Sequence, residues 1–171
     1  LWNLTQLANA LYPLLGNEKL LQGILDTAYR QQFLTKYHAT MAAKLGLTDY
    51  REASDESLIQ DLLTVLTAAE TDMTIFYRQL SELKMEDHHM SGNSIPEPLV
   101  PAYYAVERLD TDYCHSLATW LSRYSNRLRQ QPLNDEQRRA AMNRVNPKYV
   151  LRNYMAQVAI EKAESGDHSR V

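Results

Sequence analysis

Residues 146–167 read NPKYVLRNYMAQVAIEKAESGD, and this stretch sets the expectation for the rest of the chain. Both of its ends carry helix signals. Asn146 can cap a first turn, and Pro147 fits the first helical position, where a missing N–H costs nothing. Gly166 suits the stop, because the residue just past a helix often needs φ > 0. Between them Val150, Tyr154 and Val158 recur at i+4, as do Leu151, Met155 and Ala159. The two rows lie side by side and predict one helix with a broad apolar face. Arg152, Asn153 and Gln157 flank that face. Arg152 sits beside rows expected to be buried, so it should pair with a carboxylate or with helix-end carbonyls.

Working outward, residues 135–145 (DEQRRAAMNRV) predict a short helix capped by Asn134 or Asp135, with acids early and arginines late, as the helix dipole favours. Before it, Cys114, Leu117, Leu121, Tyr124 and Leu128 give helical spacing over 112–130, with Trp120 adjoining and Pro132 as terminator. Residues 84–101 hold Gly92, Asn93, Pro96, Pro98 and Pro101 and predict a loop of about 15 residues, with a short helix following over 102–109. The clearest periodicity runs over 55–83. Leu58, Leu62, Leu66, Ala69, Met73, Phe76, Leu80 and Leu83 follow in steps of four and three, widened by Ile59, Leu63 and Tyr77. That pattern predicts one central core helix started by Ser54 or Asp55. Asn17 and Gly46 bracket a helix over 18–45 with Leu21, Leu25, Ala28, Phe33, Tyr37, Met41 and Leu45 on its face. Residues 1–15 place Leu4, Leu7, Ala8 and Leu11 together, and Pro13 should end or bend that helix. No period-2 alternation, hairpin signal, repeat or low-complexity tract interrupts the series. The expectation is an all-α fold: one domain over 1–171, an irregular bundle of six or seven helices.

Composition agrees. The chain has 171 residues, 44% hydrophobic and 23% charged, in keeping with one globular domain. A chain of this size buries about 70% of its unfolded surface. A formal net charge of −3 is too mild to argue for nucleic acid or an anionic membrane as partner. No apolar run approaches the ~20 residues of a membrane helix, and no targeting signal is present. The lone Cys114 excludes an internal disulfide framework. Leu1 falls inside helical spacing where a natural chain would begin with Met, so a piece of a longer chain is expected.

The run Asn146-Pro147-x-x-Val150-Leu151-Arg152-Asn153-Tyr154, with Ala159, Ile160, Ala163, Gly166 and Asp167, resembles a segment of the selenoprotein-O-type pseudokinases, which are protein adenylyltransferases. Trp2-Asn3-Leu4, Leu7-Ala8, Ala10-Leu11 and Pro13-Leu14 are similar to that family's segment just after its kinase-like catalytic elements. Lys44-Leu45-Gly46-Leu47 and Phe76-Tyr77-Arg78-Gln79-Leu80 match two further short family motifs. The matches thin out between about residues 48 and 101. The resemblance implies that this chain is the C-terminal helical part of a protein-kinase-like fold. It implies a parent that moves AMP from ATP to hydroxyl side chains of proteins, using Mg²⁺ or Mn²⁺. It places the nucleotide site in an N-terminal core that would be this region's main partner, with protein substrates of the parent beside it. It also implies a cytoplasmic location in bacteria, or a mitochondrial one in eukaryotes.

Residue by residue, nothing here makes a catalytic, cofactor or metal site. There is no G-x-G-x-x-G loop, Walker sequence, D-F-G or H-R-D. Phosphoryl-type chemistry needs a lysine on the phosphates and carboxylates on the metal, and that set is missing. His88 and His89 with Glu86 and Asp87 read as a solvated loop rather than a metal site. Asp110 and Asp112 read as helix caps, and Cys114 as a small core residue. Arg127, Arg129, Arg138, Arg139, Arg144 and Lys148 read as a solvated or ion-paired face, lacking the aromatic interleaving of a nucleic-acid surface. The residues singled out are structural: Asn146, Pro147, Leu151, Arg152, Asn153 and Tyr154, with Arg152 as a clamp. Two other classes stay open: a free-standing helical interaction module and a nucleic-acid-binding helical domain.

Overall fold

The computed structural model describes residues 2–84 and 94–170. Eight α-helices account for most of them: α1 (Trp2–Leu15), α2 (Glu18–Gly23), α3 (Arg30–Lys44), α4 (Glu52–Thr67), α5 (Met73–Leu80), α6 (Thr111–Leu128), α7 (Asp135–Val145) and α8 (Asn153–Glu164). Two short 3-10 turns, Glu97–Ala102 and Val106–Arg108, line the connection into α6, so the helix expected over 102–109 is one 3-10 turn. No strand occurs among the described residues, and the fold is the expected all-α irregular bundle. The motif Glu86, Asp87, His88 and His89 lies outside the described residues.

Local signals govern most helix ends. Asn17 accepts from Leu20 N at 3.0 Å, Asp110 from Tyr113 N at 2.8 Å and Asn134 from Gln137 N at 2.8 Å. Gln137 returns a bond to Asn134 N, completing a capping box. Gly46 (φ 69°) and Gly166 (φ 86°) take the left-handed conformation after α3 and α8. Pro13 neither ends nor breaks α1, which stops two residues later. Residues 18–44 form one helical rod with a π-helical stretch, Ile24–Tyr29, between α2 and α3.

The long helix expected over 55–83 is two helices. α4 ends at Thr67, where Thr67 Oγ1 bonds back to Leu63 O at 2.9 Å and Thr64 O at 3.0 Å. Thr71 then makes an antiparallel bridge with Tyr103, through Asp72 N to Ala102 O at 2.7 Å and Tyr104 N to Glu70 O at 3.2 Å. Asp72 starts α5 by accepting from Ile75 N at 3.0 Å. The row lapses at the break, where Ala69 is half-buried and Met73 exposed, and resumes at Phe76, Tyr77 and Leu80, so both helices still face one core.

That core is α4, α5, α6 and α7 with the C-terminal end of α3. Leu45, Ile59, Leu62, Phe76, Leu80, Leu99 and Met142 are fully buried in it, beside Trp120 and Tyr124. Each such aliphatic side chain contributes about 1.5–3 kcal/mol by leaving water. Trp120 and Tyr124 stack at 5.1 Å, and their polar ends are answered: Trp120 Nε1 donates to Leu58 O at 2.8 Å, Tyr124 Oη to Leu45 O at 2.7 Å. Cys114 is buried among these residues, as its helix face predicts.

Two regions stand apart from the core. α1, α2, the π-helical stretch and the first half of α3 bury no side chain, and Trp2, Leu7, Leu14, Leu20, Ile24 and Phe33 are exposed on them. α8 buries none either.

Candidate functional site

The stretch 146–152 corrects the single helix expected over 146–167. Asn146 does not cap a helix that begins at Pro147. It flanks the C-terminus of α7 with φ −93° and ψ 110°, and α8 begins only at Asn153. Proline disfavours the helical region for the residue before it, so Asn146 takes extended backbone. Its side chain then goes elsewhere. Asn146 Nδ2 donates to Lys44 O at 2.9 Å and to Tyr77 O at 3.4 Å, and Arg78 Nη1 donates to Asn146 O at 2.9 Å and to Asn143 O at 3.1 Å. One buried asparagine therefore joins the ends of α3, α5 and α7.

Three runs on which the family resemblance rests meet at this point: Lys44-Leu45-Gly46-Leu47, Phe76-Tyr77-Arg78-Gln79-Leu80 and the Asn146 run. Their spacing in the chain gave no sign of it. The other singled-out residues follow at once. Pro147 lies against the same junction, Leu151 is 78% exposed, and Asn153 and Tyr154 open α8 on its exposed side. Arg152 Nη2 meets Asp72 Oδ2 at 2.5 Å. Asp72 is buried, caps α5 through its other oxygen and accepts from Tyr104 Oη at 3.4 Å. The carboxylate partner expected for Arg152 is thus Asp72, which in the sequence shows only as a capping residue type inside an apolar stripe.

The basic lean of the C-terminal third resolves into individual jobs. Arg138 is buried and donates to Leu83 O, to Leu80 O and Ser81 O at 3.5 Å, and to Asp135 Oδ1 at 3.1 Å. It answers the carbonyls left open at the end of α5. Arg127 is buried against Asp55, and Arg139 pairs with Glu82 at 2.9 Å. Ion pairing was expected for this cluster; burial of two of its members was not.

Beneath the Asn146 junction lies a cavity of about 310 Å³, lined by Tyr37, Met41, Lys44, Leu63, Met73, Thr74, Tyr77, Asn146 and Pro147. Lys44 Nζ stands 4.5 Å over the Tyr77 ring. Burial lowers the Lys44 ammonium from its usual value and pushes the Tyr77 phenol up to about 12. Tyr77 Oη and Asn146 Oδ1 are both buried without a hydrogen-bond partner. Among the described residues, no group of three or more His, Cys, Asp or Glu side chains could hold a metal ion. None of the described helices is long and apolar enough to cross a membrane.

A family model described as protein adenylyltransferase SelO matches residues 1–171. The protein nucleotidyltransferase YdiU of Rhodopirellula baltica is 42% identical over 178 residues, which covers 99% of this chain and 33% of that relative. Its namesakes from Flavobacterium johnsoniae and Aromatoleum aromaticum are 43% and 42% identical over 170 residues, with 99% of this chain covered in each case. The chain spans about a third of the length of the curated relatives it matches. With all 171 residues matched, this chain belongs to the SelO family of protein adenylyltransferases.

Proposed function

We propose that this chain is the helical supporting part of a protein adenylyltransferase whose nucleotide site lies in the remaining two thirds of the protein. That parent would move AMP from ATP to serine, threonine or tyrosine hydroxyls of other proteins, with Mg²⁺ or Mn²⁺ on the phosphates. The reading rests on one observation: helices with exposed apolar faces, in a chain about a third as long as its relatives. Tyr154, Met155, Val158 and Ile160 on α8, and the leucines of α1, form apolar surface that a larger body would cover. The Asn146 junction and the Arg152–Asp72 pair would hold those faces at a set angle to the core. The nucleic-acid alternative is weakened by the burial of Arg127 and Arg138, which places both away from any phosphate backbone. A free-standing interaction module would use the same faces for another protein.

Labelled ATP with Mg²⁺ or Mn²⁺ tests the assignment on the 171-residue chain and on the whole protein. Label should pass to protein hydroxyls only with the whole protein. Transfer by the 171-residue chain alone would overturn the supporting role.

A further inference from the structure

We propose that the trough between α1 and the rod of α2, the π-helical stretch and α3 seats an amphipathic helix carrying lysine or arginine, supplied by the part of this protein outside the 171 residues. The inference rests on the reading above that most of the protein lies beyond this chain, and it names what docks here. α1 and the rod form a hairpin of helices turned at Gly16, which has φ 61°. The hairpin does not close on itself. Ala8, Leu21 and Leu25 lie on its inner side, yet each is only half-buried. They floor an open cavity of about 620 Å³, with Tyr12, Glu18, Gln22 and Asp26 on its rim. A second concavity of about 410 Å³ continues it along the rod. The two share Leu25 and Asp26, and the second adds Tyr29, Arg30 and Phe33. The rings of Tyr29 and Phe33 stack at 6.3 Å, so the far end is an aromatic shelf.

Shape and charge narrow the occupant. From Glu18 to Phe33 the rod runs about 22 Å, which matches about four turns of helix. Both walls are helices, whose backbone groups are already paired, so an extended segment would find no partners for its own N–H and C=O groups. A third helix satisfies its backbone internally and lays side chains into the groove between the other two. Glu18 and Asp26 stand about two turns apart, and no Lys or Arg side chain lines their half of the trough. Arg30 comes only at the far end. A cation on the incoming helix answers those carboxylates, while its apolar row meets Ala8, Leu21, Leu25 and Phe33. The supplier follows from folding. α1, α2 and the π-helical stretch bury no side chain, so the hairpin needs a neighbour to hold its shape. The neighbour present whenever this chain folds is the rest of the same protein, and the chain spans about a third of its curated relatives. A second copy seated trough on trough would set carboxylates against carboxylates.

The test is photo-cross-linking in the whole protein. Gln22→benzoylphenylalanine puts the reactive ketone in the trough at an exposed, uncharged position. After irradiation, mass spectrometry should find it joined to a segment outside the 171 residues, one with apolar residues at helical spacing and Lys or Arg among them. Mixing nitrogen-15 and unlabelled protein should show the link to lie within one molecule. Glu18→Gln with Asp26→Asn removes both charges and little volume. That double variant should lower the link yield and quicken hydrogen exchange over residues 5–26 by about tenfold. No link, links confined to the 171 residues, to a second copy or to another protein, a linked segment without Lys or Arg, or an unchanged double variant would overturn the proposal. AMP transfer by the 171-residue chain alone would instead sink the supporting role and leave this contact standing.

Discussion

Arg127 grips Asp55 through two parallel hydrogen bonds, Nε to Oδ1 at 2.7 Å and Nη2 to Oδ2 at 3.0 Å, and both side chains are buried. The pair ties the last turn of α6 to the first turn of α4, 72 residues away in sequence. Asp55 also accepts from Arg51 N at 2.8 Å and Ser54 Oγ at 3.0 Å, so one carboxylate closes the start of α4 and anchors α6.

Removing only one member leaves a buried charge without its partner. Arg127→Met should therefore cost about 3–5 kcal/mol in urea unfolding. The double variant Arg127→Met, Asp55→Asn should recover part of that loss, because neither charge remains. Additive losses would show that the two residues act separately.

Gly46 makes a second sharp case. At φ 69° an added Cβ is strained, and it would stand 2.8 Å from Arg138 Cγ and from Met142 Cγ and Sδ. Gly46→Ala should cost about 2–3 kcal/mol, combining backbone strain with displacement of a buried arginine. Gly16 has φ 61° and nothing within 4 Å of such a Cβ. Gly16→Ala should cost only about 1 kcal/mol, from the backbone alone. Thermal unfolding of the two variants side by side separates the contributions.

Arg152 tests the clamp. Its side chain is 38% exposed while that of Asp72 is 6% exposed, so water screens one end of the pair only. Arg152→Ala should cost about 1–2 kcal/mol, since Asp72 keeps its bonds to Ile75 N and Tyr104 Oη. Hydrogen exchange along α8 should quicken, because no side chain of that helix is buried to hold it once the pair is gone. Unchanged stability, α8 exchange and whole-protein activity would refute the clamp.

Acid should weaken the fold in a defined window. Hydrogen bonds from Arg51, then Arg127, hold the Asp49 carboxyl down to about 2 from 3.8. The folded value lies below the unfolded one, near 3.9, so the contribution is present above about pH 4 and lost as pH falls towards 2. Glu56 is lowered as well, chiefly by the hydroxyl of Tyr50, and adds with the same sign. Stability should fall from pH 4 to 2 in denaturant titrations, and Asp49→Asn should flatten that slope. A variant with the parent's full pH dependence would exclude Asp49 as a cause.

Spacing and caps alone determined that the chain is helical, where most helices end, and that Leu58, Leu62, Phe76, Leu117 and Leu121 share a core. These are consequences of neighbours three and four residues apart, and a sequence displays them directly. The break between α4 and α5, the extended path from Asn146 to Arg152 and the burial of Arg127 and Arg138 were decided only in three dimensions. Each depends on a hydrogen bond between residues far apart in the chain: Asp72 with Ala102, Asn146 with Lys44, Arg138 with Leu83. Local periodicity favours continuing the helix at such points. It yields because a buried polar group left without a partner costs more than a helical turn is worth.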